Sequence, residues 1–177
     1  GRFVAYKGYH HLLEAAGIVR ETHPSVHWLL VGHGELRGDL EQQCRRLGLE
    51  RVVHFIGWAD RIAEHLALSD LFVLPSLGEH FGRVLLEAMA MERAVVATNA
   101  GGVPEIVLDE QTGILVPPAD PAAMAAAVIS LVEDPARAAR LGEAGRRRVE
   151  SEFTLARHVD ATETLYASLL DGPSERV

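Results

Sequence analysis

Cysteine is nearly absent: Cys44 is alone in 177 residues, so no intramolecular disulfide can form and nothing marks an oxidising compartment. Set between Gln43 and Arg45 on a predicted helix, this thiol reads as filler. Positive charge is scarce as well, with 17 Lys and Arg against 25 Asp and Glu and a net charge of -8. A protein that grips nucleic acid needs a basic face to release counterions, so general nucleic-acid binding is excluded. A small anion held by a few local cations is not. No apolar run reaches the roughly 18 to 20 residues of a membrane span; the longest, Ala122 to Val132, is short and alanine-rich. No signal peptide is recognisable, and the expected location is cytoplasmic. The nine histidines are scattered without metal-ligand spacing, and neither a nucleophile elbow nor a Walker-type loop occurs.

What is present is the composition of one globular domain, 48% hydrophobic and 24% charged, large enough to bury a core. The pattern alternates. From Gly8 apolar residues at helical spacing (Leu12, Leu13, Ala16, Val19) predict a helix ending before Pro24. VHWLLVG (26 to 32) predicts a strand buried on both faces. Residues 35 to 47 predict a helix closed by Gly48. VVHFIG, DLFVL (70 to 74), AVVAT (94 to 98) and GILV (113 to 116) predict further strands. Between them stand a short helix capped by Asp60, a helix from Gly82 to about Glu92, and a short PEIV segment. From about residue 121 the chain is predicted helical, with Asp120-Pro121, Asp134-Pro135 and Thr154 starting three helices and a frayed tail after Leu170. Strand and helix in alternation predict a parallel sheet covered on both faces, with ligands beyond the C-terminal strand ends. The loop carrying Arg2 and Lys7 should itself follow a strand, so a first strand is expected ahead of Gly1, outside this sequence.

Pro75 to Ala90, PSLGEHFGRVLLEAMA, holds the least expected residues: Glu79 in a loop and Glu87 inside an apolar helical run. A buried carboxylate must be paired or must bind something. The first N-H groups of a helix starting at Gly82 offer a phosphate site. Glu87 lies about 7.5 Å further along the axis, the reach from a diphosphate to ribose hydroxyls. The plain alternative is an exposed Arg83 and Glu87 pair, worth a few tenths of a kcal/mol, and a solvated Glu79. Arg2 and Lys7 suit a diphosphate, Arg2 as a bidentate fork and Lys7 as a point charge; the alternative is solvated surface. Gly32-His33-Gly34 resembles half a dinucleotide fingerprint, with a tight turn as the plain alternative, and Arg146 to Arg148 read as a cluster favouring a helix C-terminal dipole.

Taken together, GRFVAYKG, PSLGEHFGRVLLEAMA and AVVATNAGGVPEIVLDEQTGILVPPADPAAMAAAV resemble the C-terminal, donor-binding half of retaining GT-B glycosyltransferases of family four, across Gly1 to about Leu170. The resemblance implies an α/β, Rossmann-like parallel sheet with helices on both faces, residues 1–177 forming one nucleotide-sugar-binding domain. It implies that Arg2 and Lys7 hold the donor diphosphate and that Glu87 binds the ribose. Glu79, with the backbone of His80, Phe81 and Gly82, would hold the transferred sugar. The N-H groups near Val84 would meet a phosphate, and the base would lie near Gly57 and Trp58. It further implies metal-independent chemistry without a cofactor, the nucleotide-diphosphate sugar being a substrate. The acceptor domain and its catalytic-site histidine are not in this sequence, so the chain alone is expected to be inactive. Membrane contact, if any, would be peripheral and through that domain. The last helix should cross back to it, leaving Leu165, Tyr166 and Leu169 exposed. Met91-Glu92-Arg93 departs from the family's small residue and glycine, at the expected helix end. A sugar-nucleotide epimerase or a non-catalytic binding domain on the same architecture are the alternatives.

Overall fold

A computed structural model describes residues 1–170. The expected fraying of the DGPSERV tail lies outside the described residues. A 3-10 turn (Ala5–Lys7) leads into α1 (Tyr9–Thr22), followed by β1 (Trp28–Val31), α2 (Arg37–Arg46), β2 (Val53–Gly57), α3 (Ile62–Ala67) and β3 (Leu71–Leu74). Next come α4 (Arg83–Ala90), β4 (Ala94–Thr98), α5 (Val103–Ile106) and β5 (Ile114–Val116), then α6 (Pro121–Glu133), α7 (Pro135–Glu152) and α8 (Leu155–Leu170).

β4 shows how the layers are built. All five of its residues are buried, and they alternate between two cores: Ala94 and Val96 join one, Val95 and Ala97 the other. The first core packs α1, α2 and α6 through residues such as Leu13, Leu40 and Leu131; the second packs α4 and α5 through Leu85, Met89 and Ile106. A strand buried on both faces reads as continuous apolar sequence, which is what AVVAT is.

Every strand pair is parallel, as expected, but the strands form two sheets rather than one. Among the described residues β1 pairs only with β2, and β3 pairs with β4, which pairs with β5. β1 and β3 face each other across a cavity, each with an unpaired edge. Burial on β1 is correspondingly less complete than its apolar run suggests, Leu29 being 40% exposed.

Three caps are where the sequence puts them. Asp120 accepts from the Ala123 N-H at 2.9 Å, Asp134 from Arg137 at 2.8 Å, and the Thr154 hydroxyl oxygen from Arg157 at 3.2 Å. Asp60 is a correction. Residue 61 stands at the N-cap of α3 without a side-chain cap, and Asp60 instead accepts from the Trp58 indole N-H at 2.6 Å. The Arg146 to Arg148 cluster is a second correction. Arg148 donates to the carbonyls of Glu105 and Ile106 at the end of α5, both at 2.9 Å, while Arg146 reaches Glu150 at 2.8 Å and Glu92 at 3.3 Å. Arg148 to α5 and Arg146 to Glu92 are tertiary contacts, Arg146 to Glu150 is a pair within α7, and no basic residue stands in the last turn of α7. The Met91-Glu92-Arg93 departure lies in the turn after α4, where Arg93 donates to the Ser69 carbonyl at 2.8 Å.

α8 stands apart. It buries no residue, and Leu155, Leu165, Tyr166, Leu169 and Leu170 are each more than half exposed. No helix among the described residues is long and apolar enough to cross a membrane.

Candidate functional site

Four loops converge at the C-terminal ends of the strands: the segment from Arg2 to Lys7, the Gly32-His33-Gly34 turn after β1, residues 75–82 after β3, and the turn after β4. They are locked by backbone contacts. Leu77 N-H donates to the Tyr6 carbonyl at 2.7 Å, Phe3 N-H to the His33 carbonyl at 2.7 Å, and Gly102 N-H to the Glu79 carbonyl at 2.7 Å. Two glycines make the approach possible. Gly8 has φ +67 and passes so close to Pro75 that a Cβ would sit 1.9 Å from its carbonyl oxygen; Gly101 has φ +60, and a Cβ there would sit 2.1 Å from the Glu79 carbonyl oxygen. Both positive φ and contact exclude other residues.

Lys7 and Glu79, expected to serve different parts of a ligand, hold each other in the free protein. Their side chains form an ion pair at 16% and 13% exposure, and Ser76 donates to the same carboxylate oxygen at 3.3 Å. Glu79 is therefore not a solvated loop acid. Ser76 is itself buried and tied to β4, its carbonyl accepting from the buried Thr98 hydroxyl. Lys7 also lies over the Tyr6 ring, 5.3 Å from its centroid, and Arg2 donates to the Tyr6 hydroxyl at 3.3 Å. Arg2 bridges in parallel to His33 on the neighbouring turn.

Gly82, with φ of 71, stands at the N-cap of α4 and, having no side chain, supplies no cap. The first amides of α4 are thus left for an outside acceptor. Leu85, Ala88 and Met89 point into the core, whereas Arg83, Val84 and Glu87 line the cavity. Glu87 is 38% exposed in its side chain, and its loose contact with the 87% exposed Arg83 is 3.7 Å. The plain alternative for that pair is thus partly realised, but a contact this long and this solvated does not hold the carboxylate in place.

One cavity of about 1570 Å³ is lined by Arg2, Lys7, Glu79, His80, Phe81, Gly82, Val84, Glu87 and Trp58 together. Gly57 is the exception. It does not line the cavity, and its carbonyl accepts from the Gly32 N-H at 2.7 Å. Trp58 is 72% exposed and meets the His33 ring edge-on, 5.2 Å between centroids; Phe81 is 52% exposed. Two exposed aromatic faces around an acidic and basic cleft suit a planar, phosphorylated ligand. Sequence reading did not single out Tyr6, and it noted Ser76 and His33 only within strand-end stretches, without a role in the site. Tyr6 stands inside GRFVAYKG and Ser76 directly after a strand, which is the signal that could have found them. Among the described residues no three His, Cys, Asp or Glu side chains gather in metal-binding geometry. Cys44 is buried away from the cleft, and that burial pushes its thiol pKa up.

Comparison with known proteins shows the family and the fold. The model of the family described as glycosyl transferases group 1 matches residues 1–148. A glycogen synthase of Mycobacterium tuberculosis (strain H37Rv) is 38% identical over 175 residues, covering 97% of this chain and 42% of that protein. Anabaena Alr3699/HepE, solved in complex with UDP-glucose, superposes with a TM-score of 0.86 at 31% identity, over 94% of this chain and 47% of that one. The C-terminal domain of a glycosyl transferase group 1 family protein (LpcC) of Francisella tularensis gives 0.81 at 29% identity, over 88% and 84%. The chain spans less than half the length of curated relatives such as the glycogen synthase.

Proposed function

The chain belongs to the group 1 glycosyl transferases, and from that premise we propose that it supplies the donor site for retaining transfer of a sugar from a nucleotide diphosphate to an acceptor. The observation that carries the reading is the single cleft in which Arg2, Lys7, Glu79, Glu87 and the uncapped start of α4 all open onto the same space. The parts of a sugar nucleotide are assigned to the residues that line this cleft. Trp58 and His33 present ring surface for the base; Glu87 takes the ribose hydroxyls as an acceptor of two hydrogen bonds. The diphosphate lies between the α4 N-terminus and the cations Arg2 and Lys7, and Glu79, with the backbone of His80, Phe81 and Gly82, receives the hydroxyls of the transferred sugar.

In the reaction the bond from the sugar C1 to the diphosphate oxygen breaks, and the diphosphate departs with the electron pair. Arg2, Lys7 and the α4 amides stabilise the charge that develops there, a role in which fixed donors cost no reorganisation. The acceptor hydroxyl forms its bond to C1 on the face the diphosphate leaves, and its proton passes to a departing phosphate oxygen. With two cations and a helix terminus on the diphosphate, the proposed chemistry needs neither metal nor cofactor. The acceptor site, and with it turnover, is assigned to residues outside 1–177, so this chain alone binds donor without transferring it.

Calorimetric titration of the complete protein with nucleoside diphosphates tests the ribose assignment. Glu87→Ala is expected to weaken binding about tenfold or more, the loss of hydrogen bonds to a charged acceptor, while Arg83→Ala changes it little. Equal affinities of Glu87→Ala and wild type for every nucleotide would overturn it.

A further inference from the structure

Behind the loop that carries Glu79 lies α5, and behind α5 lies α7. The inner side of α7 is fixed by close approach: a Cβ on Gly142 would sit 2.2 Å from the Glu92 carbonyl oxygen, and one on Gly145 3.3 Å from the Met89 side chain of α4. Three residues past Gly145, Arg148 spends its guanidinium on backbone. Its Nε donates to the Ile106 carbonyl and its Nη2 to the Glu105 carbonyl, both at 2.9 Å, and the Phe153 ring lies over it, 5.4 Å to the centroid. One planar fork thus holds the last two carbonyls of α5, which a helix leaves without partners of its own. At its other end α5 starts directly from Gly102. The Gly102 N-H donates to the Glu79 carbonyl at 2.7 Å, and a Cβ on Gly102 would sit 2.3 Å from the His80 carbonyl oxygen. Backbone packed this closely on backbone has no flexible side chain between to absorb a shift, so α5 and the Glu79 loop move as one.

We propose that Arg148 is a positioning residue for the transferred sugar: acting through α5, it sets where Glu79 and the backbone of His80 stand in the cleft. It has this role on the reading that the Glu79 loop receives the sugar hydroxyls. α5 needs such a fastening because it is only four residues long, Val103–Ile106, and a single helical turn does not hold its own geometry. Val103 and Ile106 seat its inner side in the core, where they are fully buried. Two apolar side chains leave the turn free to slide and roll over that core; the fork from Arg148 fixes both. A lysine offers a point charge that meets one carbonyl well but does not bridge two in a plane. The effect is confined to one end of the ligand. Glu87 and the amides assigned to ribose and phosphate belong to α4, which rests on α7 through Met89 and does not depend on α5.

Hydrogen exchange and calorimetry on the complete protein carrying Arg148→Ala or Arg148→Lys test this. The Gly102 amide, whose acceptor is the Glu79 carbonyl, is expected to exchange about tenfold faster or more in Arg148→Ala, with the amides of β4 unmoved. Unchanged exchange at Gly102 would overturn the proposal whatever the ligand. Titration then uses UDP, ADP and GDP, each beside its glucose conjugate. For the base that binds, Arg148→Ala is expected to weaken the conjugate about fivefold or more and to leave the diphosphate within about twofold, with Arg148→Lys in between. An equal loss on both ligands, with faster exchange across β4, would show a merely structural role and overturn it. Glu79→Gln in the same titration separates the two levels. If it shifts the ratio of the two affinities and Arg148→Ala does not, the role of Arg148 falls while the sugar assignment stands; if Glu79→Gln leaves the ratio unmoved, the sugar assignment falls and takes the role of Arg148 with it.

Discussion

Glu79 is held from two sides in the free protein, by Lys7 and by Ser76, and this decides what a donor must do on arrival. In the proposed donor complex, a diphosphate at Lys7 would take over part of the neutralisation that Glu79 provides, releasing the carboxylate toward sugar hydroxyls. The ion pair thus keeps both groups positioned and largely desolvated before the ligand binds, a form of preorganisation. Glu79→Gln separates the two roles. It keeps the shape and the Ser76 contact but leaves the Lys7 ammonium, 16% exposed, without its counter-charge. Urea denaturation is expected to show a loss of about 1–3 kcal/mol, the cost of stranding a partly buried charged partner. Calorimetry should find that the variant binds nucleoside diphosphate at least as tightly as wild type, because Lys7 is freed, while losing any preference for the sugar nucleotide over it. A variant that lost both affinities equally would show that Glu79 only shapes the loop. Cys44 gives the contrasting residue-scale case. Its thiol is buried and its pKa is raised by that burial, so the thiolate fraction at neutral pH is below that of a free cysteine. Thiol-specific labelling should be negligible in the native protein and complete in denaturant.

At the scale of elements, local chemistry and tertiary contact divide cleanly. The caps by Asp120, Asp134 and Thr154 were legible because each is decided within three residues, a side-chain oxygen and an amide one turn ahead. Asp60 fitted the same pattern and failed because the Trp58 indole, two residues back, competes for its carboxylate. The core face of α4, the placement of Glu79 in the loop after a strand and that of Glu87 on the helix that follows also came from spacing. What spacing could not supply was the mutual grip of Lys7 and Glu79, 72 positions apart, or the support that Ser76 draws from Thr98. Two substitutions separate these levels. Asp120→Ala removes a cap and is expected to cost about 1 kcal/mol in denaturation, with donor binding unchanged. Gly101→Ala forces a Cβ to within 2.1 Å of the Glu79 carbonyl at a φ of +60, so the loop carrying Glu79 must shift. Nucleotide-sugar affinity should fall more than tenfold by titration, a larger effect on binding than its stability cost of about 1–3 kcal/mol explains.

Across the whole molecule, the alternation of strand and helix was enough to read an α/β domain with ligand loops at one end, because each parallel crossover leaves its own apolar period. The division into two sheets was not legible, since strand order depends on pairings between distant segments rather than on any local pattern. α8 follows the sequence expectation that Leu165, Tyr166 and Leu169 stay exposed. Its apolar residues repeat as they would on a core helix, yet none is buried, and the helix leans on the α/β body through few contacts. The group 1 family match also stops at residue 148, ahead of α8. A helix that buries nothing contributes little to the stability of the body beneath it, because stabilisation tracks apolar area removed from water. Ending the chain after residue 154 is therefore expected to leave its thermal midpoint within about 2 °C of the full length and to leave nucleoside diphosphate affinity unchanged. Calorimetric scanning and titration of the two lengths side by side check this. A fall of more than about 5 °C, on the scale of a kcal/mol or more for a domain of this size, would mean that α8 packs against the body after all.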